Sequence, residues 1–285
     1  MNVIKPFFSH AKVNLGLKIL NKRFDGYHDI HSLLIEINLS DKLTFLPNNN
    51  HELSIEGKCP TKFPLDENNL ITKAYELMQS YLNSNESTYS IQIKKNIPIG
   101  SGLGGGSSNA ATTLKTLNEL WNLNFSNKKL EKIGISLGAD VPFFIQGGFQ
   151  LAEGLGEKLS PQKTDILNDV CFLLVIPPIY MSTAKAYTEL NKSLHPLLSY
   201  SKFAPVEKPV NWQLFDNDFE KMIGKTYPEI NEIKLELKNE GSLFSGLSGS
   251  GSTVFGIFEN LQNAEVAREK FPSYQTFLTS PVFHS

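Results

Sequence analysis

The sequence predicts an α+β protein of two domains. Its 285 residues exceed the usual size of one domain and are enough for a large core. Glycines and short strand patterns cluster at residues 147–156, which predicts an N-terminal α/β domain at 1–153 and a C-terminal α+β domain at 154–285. In the second half, strands alternate with helices, a pattern that favours a sheet with its helices on one face.

The N-terminal half alternates strand patterns with amphipathic helices. Val13, Leu15, Leu17 and Ile19 share one face of a first strand, with Lys12 and Asn14 on the other. The predicted strands are residues 3–20, 33–39, 43–46, 51–55 and 90–94. Apolar residues at three-to-four spacing predict helices at 66–83, 107–123 and 127–137.

The C-terminal half begins with a continuous apolar run at 171–176, typical of a strand buried on both faces. Residues 253–258 and 274–283 read as further strands. Helices are expected from 182, at 217–222, at 228–239 and at 263–271. Residues 194–209 read as a loop-rich insert, and residues 245–252 read as a second glycine loop.

Composition limits the possible partners and compartments. Charged residues are 20% of the chain and the net charge is −2, so nothing points to nucleic acid or a membrane surface. Cys59 and Cys171 are far apart, which argues against a disulfide framework or a zinc site. No apolar run approaches membrane-spanning length, and no export segment is apparent. We expect a cytoplasmic protein that is a monomer or a weak homodimer.

The first glycine loop, residues 98–109, is the strongest functional signal. Its five glycines between positions 100 and 106 let the backbone approach another molecule closely. The loop follows a strand and runs into a helix, whose first N–H groups and dipole favour a phosphate. Ser107, Ser108 and Asn109 are possible helix caps.

Two familiar phosphate motifs fit this loop poorly. Gly100, Gly102 and Gly105 match the dinucleotide fingerprint, but no strand ending in an acid follows about twenty residues on. A nicotinamide-dependent oxidoreductase therefore stays a weaker alternative. The Walker ending occurs only at residues 224–226, where Phe219 holds the required glycine position.

Three further features each have two interpretations. Lys12 is either a solvated surface lysine or part of a site. Asp140, between glycine turns and an apolar helix, either caps that helix or receives a proton from a substrate hydroxyl. Tyr27 and His28 follow an Asp-Gly turn and either begin a strand or form a stacking surface.

Together these motifs identify the chain as similar to the kinases grouped with galactokinase, homoserine kinase, mevalonate kinase and phosphomevalonate kinase (GHMP kinases). The family pattern Pro-x-x-x-Gly-Leu-Gly-x-x-Ser-Ser stands at residues 98–108, and a C-terminal glycine loop stands at 248–251. Segments 11–15, 26–28, 104–111, 137–143 and 217–220 resemble the branch of this family that phosphorylates 4-diphosphocytidyl-2-C-methyl-D-erythritol for non-mevalonate isoprenoid synthesis.

The resemblance implies two domains, the second ferredoxin-like, with the active site in the cleft between them. It implies ATP with Mg²⁺, whose protein ligands it does not assign. Asp140 would be the base toward the attacking hydroxyl, Lys12 would hold Asp140 ionised, and Asn14 would touch the substrate near the reacting centre. The implied ATP contacts are Pro98, Ile99, Gly100, Ser101, Gly102, Leu103, Gly104, Gly105, Gly106, Ser107 and Ser108.

For the cytidine end, the resemblance implies that Tyr27 and Tyr187 sandwich the base. His28 and Thr183 would read its polar edge and the diphosphate, while Gly249, Ser250 and Gly251 would border the substrate phosphates. Leu247 stands where the family's third motif often has Met, and Tyr187 stands where some relatives have Phe. A sister kinase that acts on homoserine or mevalonate has no nucleobase to bind, so it would not need the rings of Tyr27, His28 and Tyr187. A binding protein with an inactive site would not need Lys12 and Asp140 together.

Overall fold

The computed structural model describes residues 5–48, 50–57, 63–82, 88–180, 186–187 and 210–284. Cys59, Thr183 and the predicted insert at 194–209 lie outside them. The chain forms two compact units, each a mixture of helix and strand. Unit one comprises Met1–Ala11, Leu39–Ile99 and Gly104–Gln146, and unit two comprises Lys12–Asn38, Gly100–Leu103 and Gly147–Ser285. The mixed content agrees with the predicted α+β class.

Two long strands, β1 (Phe7–Lys22) and β2 (His28–Asn48), pair with each other and contribute residues to both units. The prediction of separate strands at 33–39 and 43–46 is wrong, because β2 continues through the polar residues 40–42. Asp41 is fully buried there, and its carboxylate accepts backbone N–H groups from the turn after a neighbouring strand. A paired carboxylate can therefore occupy the middle of a buried strand.

In unit one, the second half of β2 pairs antiparallel with β4 (Thr88–Lys94), and β3 (Leu53–Ile55) runs parallel to β4. The helices are α1 (Leu70–Gln79), α2 (Gly105–Leu120), α3 (Asn127–Gly134) and α4 (Val141–Gln146). The side chain of Asn69 caps α1 by accepting the N–H of Ile71 at 2.9 Å. Helix α1 buries its apolar face and packs on α2.

In unit two, the first half of β2 pairs with β5 (Phe149–Gly154), which pairs with β6 (Lys158–Pro161). A second antiparallel sheet has the strand order β10 (Gln275–Thr279), β7 (Cys171–Ile176), β9 (Val254–Phe258), β8 (Phe244–Leu247). All six residues of β7 are buried, as its apolar run predicts. Residues 245–247, predicted as loop, belong to β8 because they pair with β9.

The helices of unit two are α5 (Glu220–Thr226), α6 (Pro228–Asn239) and α7 (Leu261–Arg268). They pack on one face of the second sheet, as predicted. Leu173 and Val175 of β7 alternate toward this face and share a core cluster with Ile230, Ile233 and Leu237 of α6. No helix within the described ranges is long and apolar enough to cross a membrane.

Candidate phosphoryl-transfer site

The glycine loop runs into α2 with a left-handed residue, Gly104, at the N-cap position (φ +70°). No side chain caps the helix, so the prediction of Ser107, Ser108 or Asn109 as caps is wrong. The helix begins earlier, at Gly105, and places these residues in its first turns. The first N–H groups of α2 have no partner within the helix, which is the arrangement that binds an anion.

A buried ion pair fixes the chain immediately before the glycine loop. Lys95 Nζ donates to Asp41 Oδ2 and to the Ile97 carbonyl, both at 2.6 Å. Asp41 Oδ1 accepts the N–H groups of Asn96 and Ile97 at 2.7 and 2.9 Å. Burial lowers the pKa of Lys95, and the charge of Asp41 opposes that shift. A Cβ on Gly105 would lie 3.1 Å from Lys95 Nζ, so this ammonium adjoins the start of α2.

Asp140 lies in unit one, directly before α4, and its carbonyl accepts the N–H of Phe144 at 3.4 Å. It is half-buried. A Cβ on Gly138, in the same turn, would lie 3.6 Å from the Ser107 hydroxyl. Ser108 is almost fully buried, and its hydroxyl accepts a hydrogen bond from Ser9 at 2.7 Å. Unit one therefore presents Ser107 and the turn that carries Asp140 near one another.

Lys12 and Asn14 point the same way from β1, as their alternation predicts. Lys12 is only 4% exposed, and its ammonium donates to Asn14 Oδ1, so the solvated-surface interpretation is wrong. Asn14 Nδ2 donates to the Ser32 hydroxyl at 2.8 Å, and Ser32 donates to the Gly16 carbonyl at 2.8 Å. The Lys12 side chain is therefore held in one place by a buried polar chain.

The second glycine loop packs against the first at Gly102. Gly102 has φ +80°, and a Cβ there would lie 2.2 Å from the Ser248 carbonyl oxygen. The Ser248 hydroxyl donates to the Gly102 carbonyl at 3.0 Å and accepts the N–H of Asn14 at 3.3 Å. A Cβ on Gly249 would lie 3.2 Å from Asn14 Oδ1 and 3.5 Å from Lys12 Nζ. Unit two thus brings both glycine loops and the Lys12 strand face to one point.

Tyr27, His28 and Tyr187 occupy one region of unit two. The rings of His28 and Tyr187 are stacked, with centroids 5.7 Å apart and planes 20° apart, and Tyr187 makes a T-shaped contact with Phe219. Tyr27 is 65% exposed at the end of the hairpin, where its N–H donates to Asp25 Oδ1 at 3.1 Å. This hydrogen bond holds the pKa of Asp25 below its ordinary value.

Sequence reasoning gave no individual role to four residues that shape these sites, although one of them, Ser248, stands in the second glycine loop. Ser32 and Ser248 support Asn14 and Gly102, and the pair Lys95–Asp41 anchors the first loop. For Lys95 a signal was present, because it directly follows β4 and continues the alternation of the buried Ile91 and Ile93. Lys12 and Asp140 belong to different units, so their proximity stays a prediction.

Among the described residues, no three His, Cys, Asp or Glu side chains are grouped to hold a metal ion.

Comparison with known proteins identifies the family. The family model described as "GHMP kinases N terminal domain" matches residues 69–148, and "GHMP kinases C terminal" matches residues 201–275. The chain belongs to the GHMP kinase family, and it is a kinase. The resemblance read from its motifs is thereby confirmed, and members of the family use ATP as the phosphate donor.

The names of individual relatives are more specific than the family description. A protein of Thermodesulfovibrio yellowstonii named 4-diphosphocytidyl-2-C-methyl-D-erythritol kinase is 41% identical, with 93% of each chain covered. A protein of the same name from Azobacteroides pseudotrichonymphae is 42% identical, with 88% of this chain and 92% of that one covered. The crystal structure of a 4-(cytidine 5'-diphospho)-2C-methyl-D-erythritol kinase matches with a TM-score of 0.83 at 28% identity, covering 98% of this chain and all of that one.

Proposed function

We propose that this kinase transfers the γ-phosphoryl group of ATP to the 2-hydroxyl of 4-diphosphocytidyl-2-C-methyl-D-erythritol, a step of non-mevalonate isoprenoid synthesis. The observation that carries the proposal is the buried ammonium of Lys12 beside Gly249, with Gly102 of the first glycine loop packed on the second loop. The relatives' shared name supports the choice of acceptor.

The phosphates of ATP bind along residues 98–108. The uncapped N-terminus of α2 offers backbone N–H groups, and the left-handed Gly104 leaves room for phosphate oxygens close to the backbone. Mg²⁺ would accompany ATP and would neutralise part of the charge of its phosphates. No side chain of this chain is assigned as a ligand of the ion.

Lys12 stabilises the negative charge that spreads over the transferred phosphoryl group. Because Lys12 is only 4% exposed and its ammonium is held by Asn14, it needs little rearrangement during the reaction, and burial strengthens its field. Asn14 lies next to the reacting centre and orients both Lys12 and the acceptor. Asp140 accepts or directs the proton of the attacking hydroxyl.

The cytidine end of the acceptor binds at Tyr27, His28 and Tyr187, with Thr183 as a further contact. Tyr27 is 65% exposed, which suits stacking of its ring on a base, and the His28 imidazole, stacked on Tyr187, brings ring nitrogens to the same region. Gly249 and Ser250 border the acceptor's phosphates. The enzyme works in the cytoplasm as a monomer or weak homodimer, with its domain boundary near residue 153.

An acceptor panel tests the proposal. Purified protein receives ATP, Mg²⁺ and either 4-diphosphocytidyl-2-C-methyl-D-erythritol, homoserine, mevalonate or galactose, and ADP release is followed. We expect turnover with the cytidyl acceptor alone. Turnover with another acceptor instead would disprove the assigned substrate while keeping the kinase class.

Two variants test the residue roles. Asp140→Asn is expected to lose at least about a hundredfold in kcat, the usual scale for a positioned base. Lys12→Met is expected to lose a similar factor, because one preorganised charge is removed from the transition state. Gln162→Ala, at a half-exposed position directly after β6 in unit two, serves as the control. Unchanged kcat in either site variant would remove that residue from the mechanism.

A further inference from the structure

Asn217 lies where the chain returns to the Lys12 strand. Residues 216–218 form a short parallel bridge with Leu17 of β1, through Leu17 N–H to the Asp216 carbonyl and Asp218 N–H to the Leu17 carbonyl, both at 2.9 Å. The prediction of a helix at 217–222 is therefore wrong at its start, because Asn217 is held in this bridge and α5 begins at Glu220.

The side chain of Asn217 connects this bridge to the second glycine loop. It is 6% exposed, and its Nδ2 donates to the carbonyls of Leu247 and Gly249, both at 2.8 Å. Its Oδ1 accepts the N–H of Phe219 at 3.0 Å. An amide supplies two donors and an acceptor at once, which neither a carboxylate nor a hydroxyl can do.

A second side chain, that of Glu220, also binds the backbone of Leu247. Glu220 Oε1 accepts the N–H of Leu247 at 2.8 Å, and its Oε2 pairs with Lys234 Nζ at 2.5 Å. The N–H of Leu247 is thus bound by Glu220 and its carbonyl by Asn217. The loop enters the site with both polar groups of this residue fixed.

The Gly249 carbonyl is the important partner, because a Cβ on Gly249 would lie 3.5 Å from Lys12 Nζ and 3.2 Å from Asn14 Oδ1. We propose that Asn217 is a positioning residue for phosphoryl transfer, which holds Gly249 against Lys12 and Asn14 without touching the substrate. The inference rests on the proposed function, since Lys12 is taken there as the group that stabilises the transferred phosphoryl.

The test is the substitution Asn217→Asp, which keeps the shape of the side chain and the acceptor Oδ1. It replaces the Nδ2 amide group, which donates both hydrogen bonds, by an oxygen. At pH 8 a carboxylate there repels the two carbonyls, and we expect kcat to fall about ten- to a hundredfold, the scale of a small misplacement of reacting groups. As pH falls to 6, the acid form regains one O–H donor. Between pH 8 and pH 6, the ratio of the kcat of Asn217→Asp to the kcat of wild type is therefore expected to rise at least threefold.

Asn118→Asp is the matched control. Asn118 also bridges one residue, accepting the N–H of Phe125 at 2.9 Å and donating to its carbonyl at 3.1 Å, but at the far end of α2. We expect a lower unfolding midpoint, an unchanged kcat, and no gain in relative activity at pH 6. A gain equal to that of Asn217→Asp would overturn the positioning role.

If Asn217→Asp fails to fold, Asn217→Ser tests the same proposal, because serine places no charge in the buried position. It is expected to lose at least tenfold in kcat while remaining folded by circular dichroism. Wild-type kinetics in either folded variant would overturn the proposal. Wild-type turnover is measured first, with whichever acceptor the protein accepts, so that an error in the proposed substrate stays separate from an error about Asn217.

Discussion

Gly102→Ala tests the packing of the two glycine loops most sharply. An added Cβ would lie 2.2 Å from the Ser248 carbonyl oxygen and 2.9 Å from that of Gly251, whereas real Cβ contacts stay above 3.0 Å. Both obstacles are backbone atoms, so no side chain can turn away. The loops must therefore move apart by about 0.8 Å at Ser248.

Two energetic costs follow. Holding alanine at φ +80° costs about 1–2 kcal/mol, and overpacking adds about 1–3 kcal/mol. The displacement of Ser248 also moves the adjacent Gly249 away from the Lys12 ammonium. Because a misplacement of about 1 Å can cost a hundredfold in rate, we expect kcat/KM to fall about a hundredfold.

The assay is steady-state ADP release with matched unfolding curves in urea. Gly241→Ala is the control, since Gly241 has φ +85° and nothing within 4 Å of an added Cβ. It should lose about 1–2 kcal/mol of stability and keep its kcat/KM. If Gly102→Ala retained kcat/KM within twofold of wild type, the two loops would not be mechanically coupled and the reasoning would fail.

Three further outcomes are expected. Ser248→Ala should lower the free energy of unfolding by about 1–3 kcal/mol in urea, because the carbonyl and the N–H that its hydroxyl bridges lose their partner; no change would contradict this. Lys95→Met should cost about 3–5 kcal/mol by leaving Asp41 buried and unpaired, and adding Asp41→Asn should recover most of it. Cys171 should react at least about tenfold more slowly with a disulfide reagent than a free thiol, measured in a Cys59→Ser background, because burial raises its pKa.

Local sequence patterns predicted the elements whose ends carry strong signals. Helix α6 has its predicted bounds because Pro228 favours the first position and Gly241 (φ +85°) follows the end. The apolar run at Cys171–Ile176 predicted a strand buried on both faces. The start of α2 was missed because glycine has a low helix propensity, whereas at Gly105 the side chain of Ile97 would crowd a Cβ, with contacts of 3.0 and 3.2 Å.

The site was predictable where it depends on neighbours in sequence. Alternation along β1 predicted that Lys12 lies beside Asn14, and a strand, the glycine loop and a helix follow one another in the predicted order. Phosphate binding at that loop stays a prediction. Contacts between distant segments were not predictable, because hydrogen bonds such as Asn14 to Ser248 join residues 234 positions apart. The role of Asn217 belongs to the same class, since its partners are 30 and 32 residues away.

The most direct test of the central claim is the structure of the reaction product. Wild-type protein is incubated with ATP, Mg²⁺ and 4-diphosphocytidyl-2-C-methyl-D-erythritol, and the mixture is followed by phosphorus NMR. We predict one new phosphomonoester for each ADP formed, with proton–phosphorus correlations that assign it to the 2-hydroxyl. Inorganic phosphate without an ester, or an ester on another hydroxyl, would contradict the account.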